Sequence, residues 1–337
     1  MKADFELHNY TFLLYPSRHD VWRENASYAR ASVVELCNLI SRYENVILGS
    51  DVEINERVSS NVILKHMEYN DIWIRDTGLI PRGDGYAVKF QFNAWGGSEG
   101  LYDDWSRDST IPRQMNGILN MPVLDSSLTL EGGNLTTDGK GTLIAVRATI
   151  ENKNRNPRKS IAEIEAELNR RLDIKKIIWI DEGLRYDETG GHIDNLCAFV
   201  APKTVFLAWT DDEDNEQYSV VRQAYCRLCG ETDAEGNTLE IVKIPLPSKF
   251  LRNENDCKGL LIDSGSKARL VGEPIQPSYI NFVFLNGAVI VPQFGDRNDE
   301  IVLGIFKEFF KDRAVVAFPA REIVLGGGGL HCITKNI

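Results

Sequence analysis

One pattern constrains this chain more than any other: a hairpin followed by a helix and a further strand returns along it. Residues 71–92 read DIWIRDTGLIPRGDGYAVKFQF and 130–146 read LEGGNLTTDGKGTLIAV. Residues 188–209 read ETGGHIDNLCAFVAPKTVFLAW and 277–294 read PSYINFVFLNGAVIVPQF. Each opens on a polar, mostly glycine-containing corner. Each then runs as a short apolar strand, turns at RGDG, DGKG, APK or NG, and returns as a second apolar strand, which is a hairpin signature. The last stretch, GGGGLHCITKNI (326–337), looks like the corner and first strand of a fifth unit.

Helical patterns lie between the hairpins. SIAEIEAELNRRLD (160–173) places Glu163 three residues after Ser160, the spacing of a capping box. NDEIVLGIFKEFFKD (298–312) has acids early and lysines late, as a helix dipole prefers. EQYSVVRQAYCRLC (216–229) and ENASYARASVVELCNLISRYE (24–44) complete the set. A strand follows each: NVILGS, KKIIWI, LEIVKIPL and AVVAFPA. Repeated units of this length indicate an array or a ring. The expectation is an α/β fold with one closed domain over residues 1–337, in which about five hairpin–helix–strand units set their corners around one axis. An ordinary mixed α/β sandwich would show the same periodicities.

Composition excludes several functions. The net charge is −11, the opposite of a nucleic-acid-binding footprint. No apolar run approaches the ~18 residues of a membrane helix, and MKADFELHNYTFLLYPS carries charges where a signal peptide needs an apolar segment. A reduced, cytoplasmic setting is expected, with the six cysteines free. Cys226 and Cys229 form a CxxC at the end of a helical pattern with no histidine nearby, which argues against a metal or redox site.

The corners hold the chemistry. The first has Asp71, Trp73, Arg75 and Asp76; the second has Glu131; the third has Asp187, Glu188, His192 and Asp194; the last has His331 and Cys332. A thiol and an imidazole are the equipment of nucleophilic catalysis. Several convergent carboxylates suit a planar cation, because a guanidinium offers paired donors to each. Together they suggest thiolate attack on a guanidinium carbon. Any one of these residues alone would more simply be a surface acid, a capped turn or a small buried hydrophobe.

With these residues assembled, the sequence resembles the agmatine deiminase branch of the guanidine-modifying superfamily. The stretches NDIWIRDTG, FNAWGG, LEGGN, NKNRNP, YDETGGHIDN, LAWTDDEDNEQY, SYINF, VIVPQFGDRNDE and LGGGGLHCIT carry the resemblance through nearly the whole chain. It implies the pentein fold, a pseudo-symmetric five-bladed α/β propeller. It implies Cys332 as nucleophile, His192 as general acid/base and Glu131 as its assisting carboxylate. Asp76 and Asp194 would grip the guanidinium, Trp73 would wall the pocket, and Glu188 would face the substrate's far amine. The implied reaction is deimination of agmatine, with no metal or organic cofactor, by a homo-oligomer. Gly329 departs from the family, which carries Asn there. The alternatives are a deiminase of free or peptidyl arginine, and a guanidine-binding protein without turnover. An agmatine pocket should end in acids without an arginine clamp, and DEDNEQY (212–218) and Glu188 suit that.

Overall fold

The computed structural model describes residues 1–262 and 265–337. Its sheets repeat one plan. A short inner strand pairs antiparallel with a central strand, and the central strand pairs parallel with an outer strand. A parallel pair cannot be joined by a tight turn, so the chain crosses between those two strands through a helix.

Ile80–Pro81, Ala87–Gln91 and Val123–Thr129 form the first such sheet, with helix Ile111–Leu119 as the crossing. Thr136–Thr137, Thr142–Val146 and Lys176–Ile180 form the second, with helix Ile161–Leu172. Cys197–Ala201, Thr204–Trp209 and Glu240–Pro245 form the third, with helix Tyr218–Leu228. Val283–Leu285, Ala288–Gln293 and Ala314–Pro319 form the fourth, with helix Asp299–Phe309. The fifth is built from both termini. Lys335–Asn336 pairs antiparallel with Thr11–Leu14, which pairs parallel with Val46–Ser50, and helix Ser27–Ile40 makes the crossing. Val62–His66 adds a fourth strand to that sheet. The C-terminal stretch is therefore the inner strand of a sheet begun at the N-terminus.

Local sequence explains the elements. The Ser160 hydroxyl accepts from Glu163 N while Glu163 reaches back to Ser160 N, so both expected caps form. Central strands are buried on both faces, as in Thr142–Val146 and Thr204–Trp209, which is why they read as unbroken apolar runs. Outer strands alternate or are half exposed. Phe206, Phe282 and Phe306 fill the space between the third and fourth sheets with centroids 5.0–5.1 Å apart for the pairs through Phe306. The unit read least well in the sequence was the first. Its helix opens on Ile111-Pro112 and contains Gly117, and its outer strand VLDSSLT is half polar, so neither announces itself.

A two-stranded ribbon, Phe250–Leu251 with Pro274–Ile275, stands outside this plan. Among the described residues no helix is long and apolar enough to cross a membrane. Cys226 and Cys229 are exposed at the end of helix Tyr218–Leu228, and among the described residues nothing gathers there as a metal site.

Candidate active site

Each corner lies just before an inner strand, and the five corners deliver side chains to one buried cluster. Asp76 comes from the short helix Ile74–Thr77. Glu131 stands before the turn Gly132–Asn134, and His192 before the turn Ile193–Asn195, which holds Asp194. Cys332 precedes Lys335–Asn336. The fourth corner supplies Asn281, two residues before Val283–Leu285.

His192 is at the centre. Its Nδ1 is 3.7 Å from Asp76 Oδ2 and its Nε2 is 3.7 Å from Glu131 Oε2, ion-pair separations too long for hydrogen bonds. Burial opposes a charge on this imidazole, yet Asp76 and then Glu131 outweigh it and raise its pKa to about 9. Its backbone N–H donates to Asp187 Oδ2 at 2.9 Å, which fixes the corner. Asp187 is thus a brace for the histidine.

The carboxylates are held separately. Asp76 accepts from Gly133 N at 2.7 Å and from Trp95 Nε1 at 2.9 Å; burial raises its pKa and His192 counters. Glu131 is fully buried and accepts from Arg155 Nε at 2.7 Å. Burial alone would push Glu131 up, but Arg155 and His192 hold it below the usual carboxylate value. Asp194 Oδ2 lies 2.9 Å from His331 Nδ1, and His331 Nε2 lies 3.1 Å from Asp4. Glu131 Oε2, Asp194 Oδ1 and His192 Nε2 are buried without a hydrogen-bond partner. Buried polar atoms without partners are uncommon and need a reason.

Asn281 shapes the thiol. Its Nδ2 donates to Cys332 Sγ at 3.1 Å, and its Oδ1 accepts from His331 N at 2.8 Å and Cys332 N at 3.3 Å. The thiol can donate to Asp194 Oδ2 at 3.5 Å. Burial pushes its pKa well up, and Asp194 and Asp76 push further, while the Gly329 backbone and Asn281 pull the other way. The resting thiol is therefore protonated at neutral pH. Trp73 stacks on Trp22, centroids 5.6 Å apart, and both indoles donate to Asp71.

The glycine run serves close approach more than unusual dihedrals. Only Gly327 has a left-handed φ, +107°. A Cβ on Gly326 would lie 2.0 Å from Trp22, on Gly328 2.5 Å from Trp73, and on Gly329 2.3 Å from Asn281. The neighbours pressing on these glycines are the protein's own side chains. No side chain fits at 329 while Asn281 stays where it is.

An open cavity is lined by Asn281, Gly328 and Gly329, residues in contact with Cys332 and Trp73. Glu188 lines it, but its carboxylate is already taken: Arg269 Nη1 donates to both oxygens at 2.9–3.0 Å, and Lys267 Nζ is 3.5 Å away. The expectation of acids without arginine is not met, because Arg252 and Lys267 also line the wall. DEDNEQY does not reach the cavity; its Gln217 holds the Arg185 backbone and its Glu216 pairs with Lys249. Sequence reasoning also passed over Arg155 and Asn281. Both lie in stretches that carry the family resemblance, NKNRNP and SYINF, but neither is a residue type one first asks to do chemistry.

Comparisons with known proteins agree with this arrangement. The profile of the Porphyromonas-type peptidyl-arginine deiminase family matches residues 1–337. The chain belongs to that family. Within the family, it is 39% identical over 350 residues to the agmatine deiminase of Stutzerimonas stutzeri, covering all of this chain and 94% of the relative. It is 37% identical over 356 residues to the agmatine deiminase of Medicago truncatula, covering 100% and 95%. The solved agmatine deiminase of Enterococcus faecalis superposes with a TM-score of 0.95 at 29% identity, over 100% of this chain and 94% of that one. The fold is the pentein fold, which extends to a dimethylarginine dimethylaminohydrolase at a TM-score of 0.54 and 12% identity.

Proposed function

We propose that this chain hydrolyses agmatine to N-carbamoylputrescine and ammonia through an amidino-cysteine intermediate. The observation that carries the reading is the set of buried, unsatisfied acceptors, Glu131 Oε2 and Asp194 Oδ1, beside a protonated imidazole and a thiol. A guanidinium supplies planar, cationic donors to such acceptors. Family membership and the agmatine deiminases among its relatives support the choice of substrate.

The guanidinium lies between Asp76 and Asp194, with its carbon presented to Cys332. Its positive charge offsets the carboxylates that keep the thiol protonated, so binding lets the thiol lose its proton, with Asp194 as the nearest acceptor. The sulfur forms a bond to the guanidinium carbon. His192, charged at neutral pH, gives its proton to one nitrogen, and the carbon–nitrogen bond breaks to release ammonia. The carbon remains on sulfur as an amidino thioether. His192, now neutral, takes a proton from a water that adds to this carbon. The carbon–sulfur bond then breaks, leaving the ureido product and a thiolate that is reprotonated. Glu131, anchored by Arg155, keeps His192 oriented and stabilises its charge. Trp73 walls the approach to the thiol, and the protein's own groups supply every proton transfer. With a net charge of −11, the protein also favours approach of a cation. We further expect a cytoplasmic homo-oligomer.

Steady-state ammonia release from agmatine, free arginine and an arginyl peptide tests the reading. The expected order puts agmatine first in kcat/KM. A higher value for arginine or the peptide would overturn the assignment.

A further inference from the structure

The cavity wall carries an arginine that the proposed reaction does not use. Arg252 is 3% exposed and follows the strand Phe250–Leu251. Its backbone is fixed on both sides, with Arg252 N donating to Glu273 O and Gly272 N donating to Arg252 O, each at 2.9 Å. Its guanidinium is not fixed in this way. Nε is buried with no hydrogen-bond acceptor, and the nearest carboxylate, Glu273 Oε2, stands 3.6 Å from it. Among the described residues no hydrogen bond is made by either Nη atom, although Arg252 is part of the cavity wall. A buried Nε donor with no acceptor is costly unless a ligand completes it, and the Nη atoms beside it are free of protein partners among the described residues.

The acids around it are already committed. Glu188 is gripped by Arg269 and approached by Lys267. Asp187 accepts from Thr189, His192 and Asn195. Glu273 accepts from Leu270 N at 3.0 Å. Arg269 spends both its Nη atoms on Glu188 and Gly326 O, the latter at 2.6 Å, and only its buried Nε is left without an acceptor. The unused hydrogen-bonding capacity on this wall is therefore donor capacity on Arg252, with the half-exposed Lys267 ammonium on the same wall. Burial, and then the neighbouring Arg269, depress the pKa of Arg252, and Glu188 and Glu273 offset them only in part.

We propose that this wall is a subsite for a carboxylate, centred on Arg252 and assisted by Lys267, which lets the cavity take guanidines whose far end bears a carboxylate. A carboxylate matches the planar fork of an arginine in a bidentate pair. The inference rests on the reading that the cavity leads a guanidine to Cys332. It extends the substrate class from guanidines ending in an ammonium to guanidino acids.

Calorimetry on the full chain with Cys332→Ser, so that nothing turns over, separates the possibilities. The probes are 4-guanidinobutyrate, which ends in a carboxylate, and butylguanidine, which ends in a methyl. The parent protein should bind 4-guanidinobutyrate at least about tenfold more tightly, the worth of a charge-assisted pair. Adding Arg252→Gln should bring that ratio to about one, and Arg252→Lys should keep part of it. A ratio near one in the parent, or a ratio that survives Arg252→Gln, overturns the proposal. Loss of affinity for both ligands alike also overturns it, since that marks a structural role. Acetate that competes with 4-guanidinobutyrate and not with butylguanidine assigns the subsite to a carboxylate on the substrate. Acetate that tightens butylguanidine supports the same subsite, filled by a free carboxylate. Ammonia release from agmatine by the unsubstituted enzyme is read separately. Its absence removes the deiminase reading and leaves the ligand ratio to decide the subsite.

Discussion

Gly133→Ala should disable the site while leaving the protein folded. Gly133 N already donates to Asp76 Oδ1 at 2.7 Å, so its backbone is pinned against the cluster. A Cβ there would stand 2.8 Å from Asp76 Oδ1, 2.8 Å from His192 Nδ1 and 3.1 Å from Asp194 Oδ2. Ordinary contact begins at 3.4 Å, so the first two atoms must each retreat by about 0.6 Å. None has room to do so cheaply: Asp76 is held by Trp95, Asp194 by His331, and His192 by its corner. Displacements near 1 Å in a catalytic array cost about a hundredfold in rate. The expected loss in kcat is therefore on the order of tenfold to a hundredfold, with the thermal midpoint moved by only a few degrees. Ammonia release and thermal unfolding measure the two. Gly117→Ala is the control, because nothing lies within 4 Å of a Cβ there. It should leave kcat unchanged and stabilise its helix by roughly 0.5–1 kcal/mol. If Gly133→Ala turns agmatine over within threefold of the parent, the packing of acids around His192 is not what positions it.

Other consequences follow from the same cluster. The pKa of His192 is raised from 6.5 to about 9, so its stabilising charge is fully present below pH 6.5 and lost as pH rises through about 9. Turnover should fall over the same alkaline limb, and His192→Ala should erase that part of the stability profile; an unchanged profile would count against the charge. Arg155→Met leaves the buried Glu131 without its hydrogen-bonded cation, only His192 facing it at 3.7 Å, and should cost about 3–5 kcal/mol in denaturant unfolding; a loss under 1 kcal/mol would show that the pair is dispensable. Lys335 is buried with its pKa lowered from 10.5 to about 7 by burial and then by Arg75. The unfolded chain then holds the proton on this lysine between those values, so the lysine's own contribution to stability rises with pH across that window, against the fall from His192. Lys335→Met should abolish the rise and melt higher at pH 6, and a lower midpoint there would refute the reading.

Much of this molecule was legible in its sequence because its repeats are written in apolar periods. The APK and NG loops, the Ser160–Glu163 cap and the buried central strands are local effects, and local residues announce them. The first unit was obscured because Pro112 and Gly117 interrupt its helix, while tertiary packing forms that helix anyway. At the site, Cys332, His192, Asp76, Glu131 and Asp194 stood among the titratable groups that recur at corners, and the family resemblance singled them out. Asn281 could not, since an amide matters only once its distance to a sulfur is known. Glu188 shows the converse limit. Its place on the cavity wall was readable, but its partner Arg269 lies 81 residues away in sequence and only the fold brings them together.

The central claim is that Cys332 carries the substrate's carbon through the reaction. Acid-quenched enzyme, mixed with agmatine and digested, tests this by mass spectrometry. The peptide containing Cys332 should gain the mass of agmatine less ammonia, and Cys332→Ser should show neither the adduct nor ammonia release. Undiminished turnover by Cys332→Ser, or an adduct on another residue, would contradict the account.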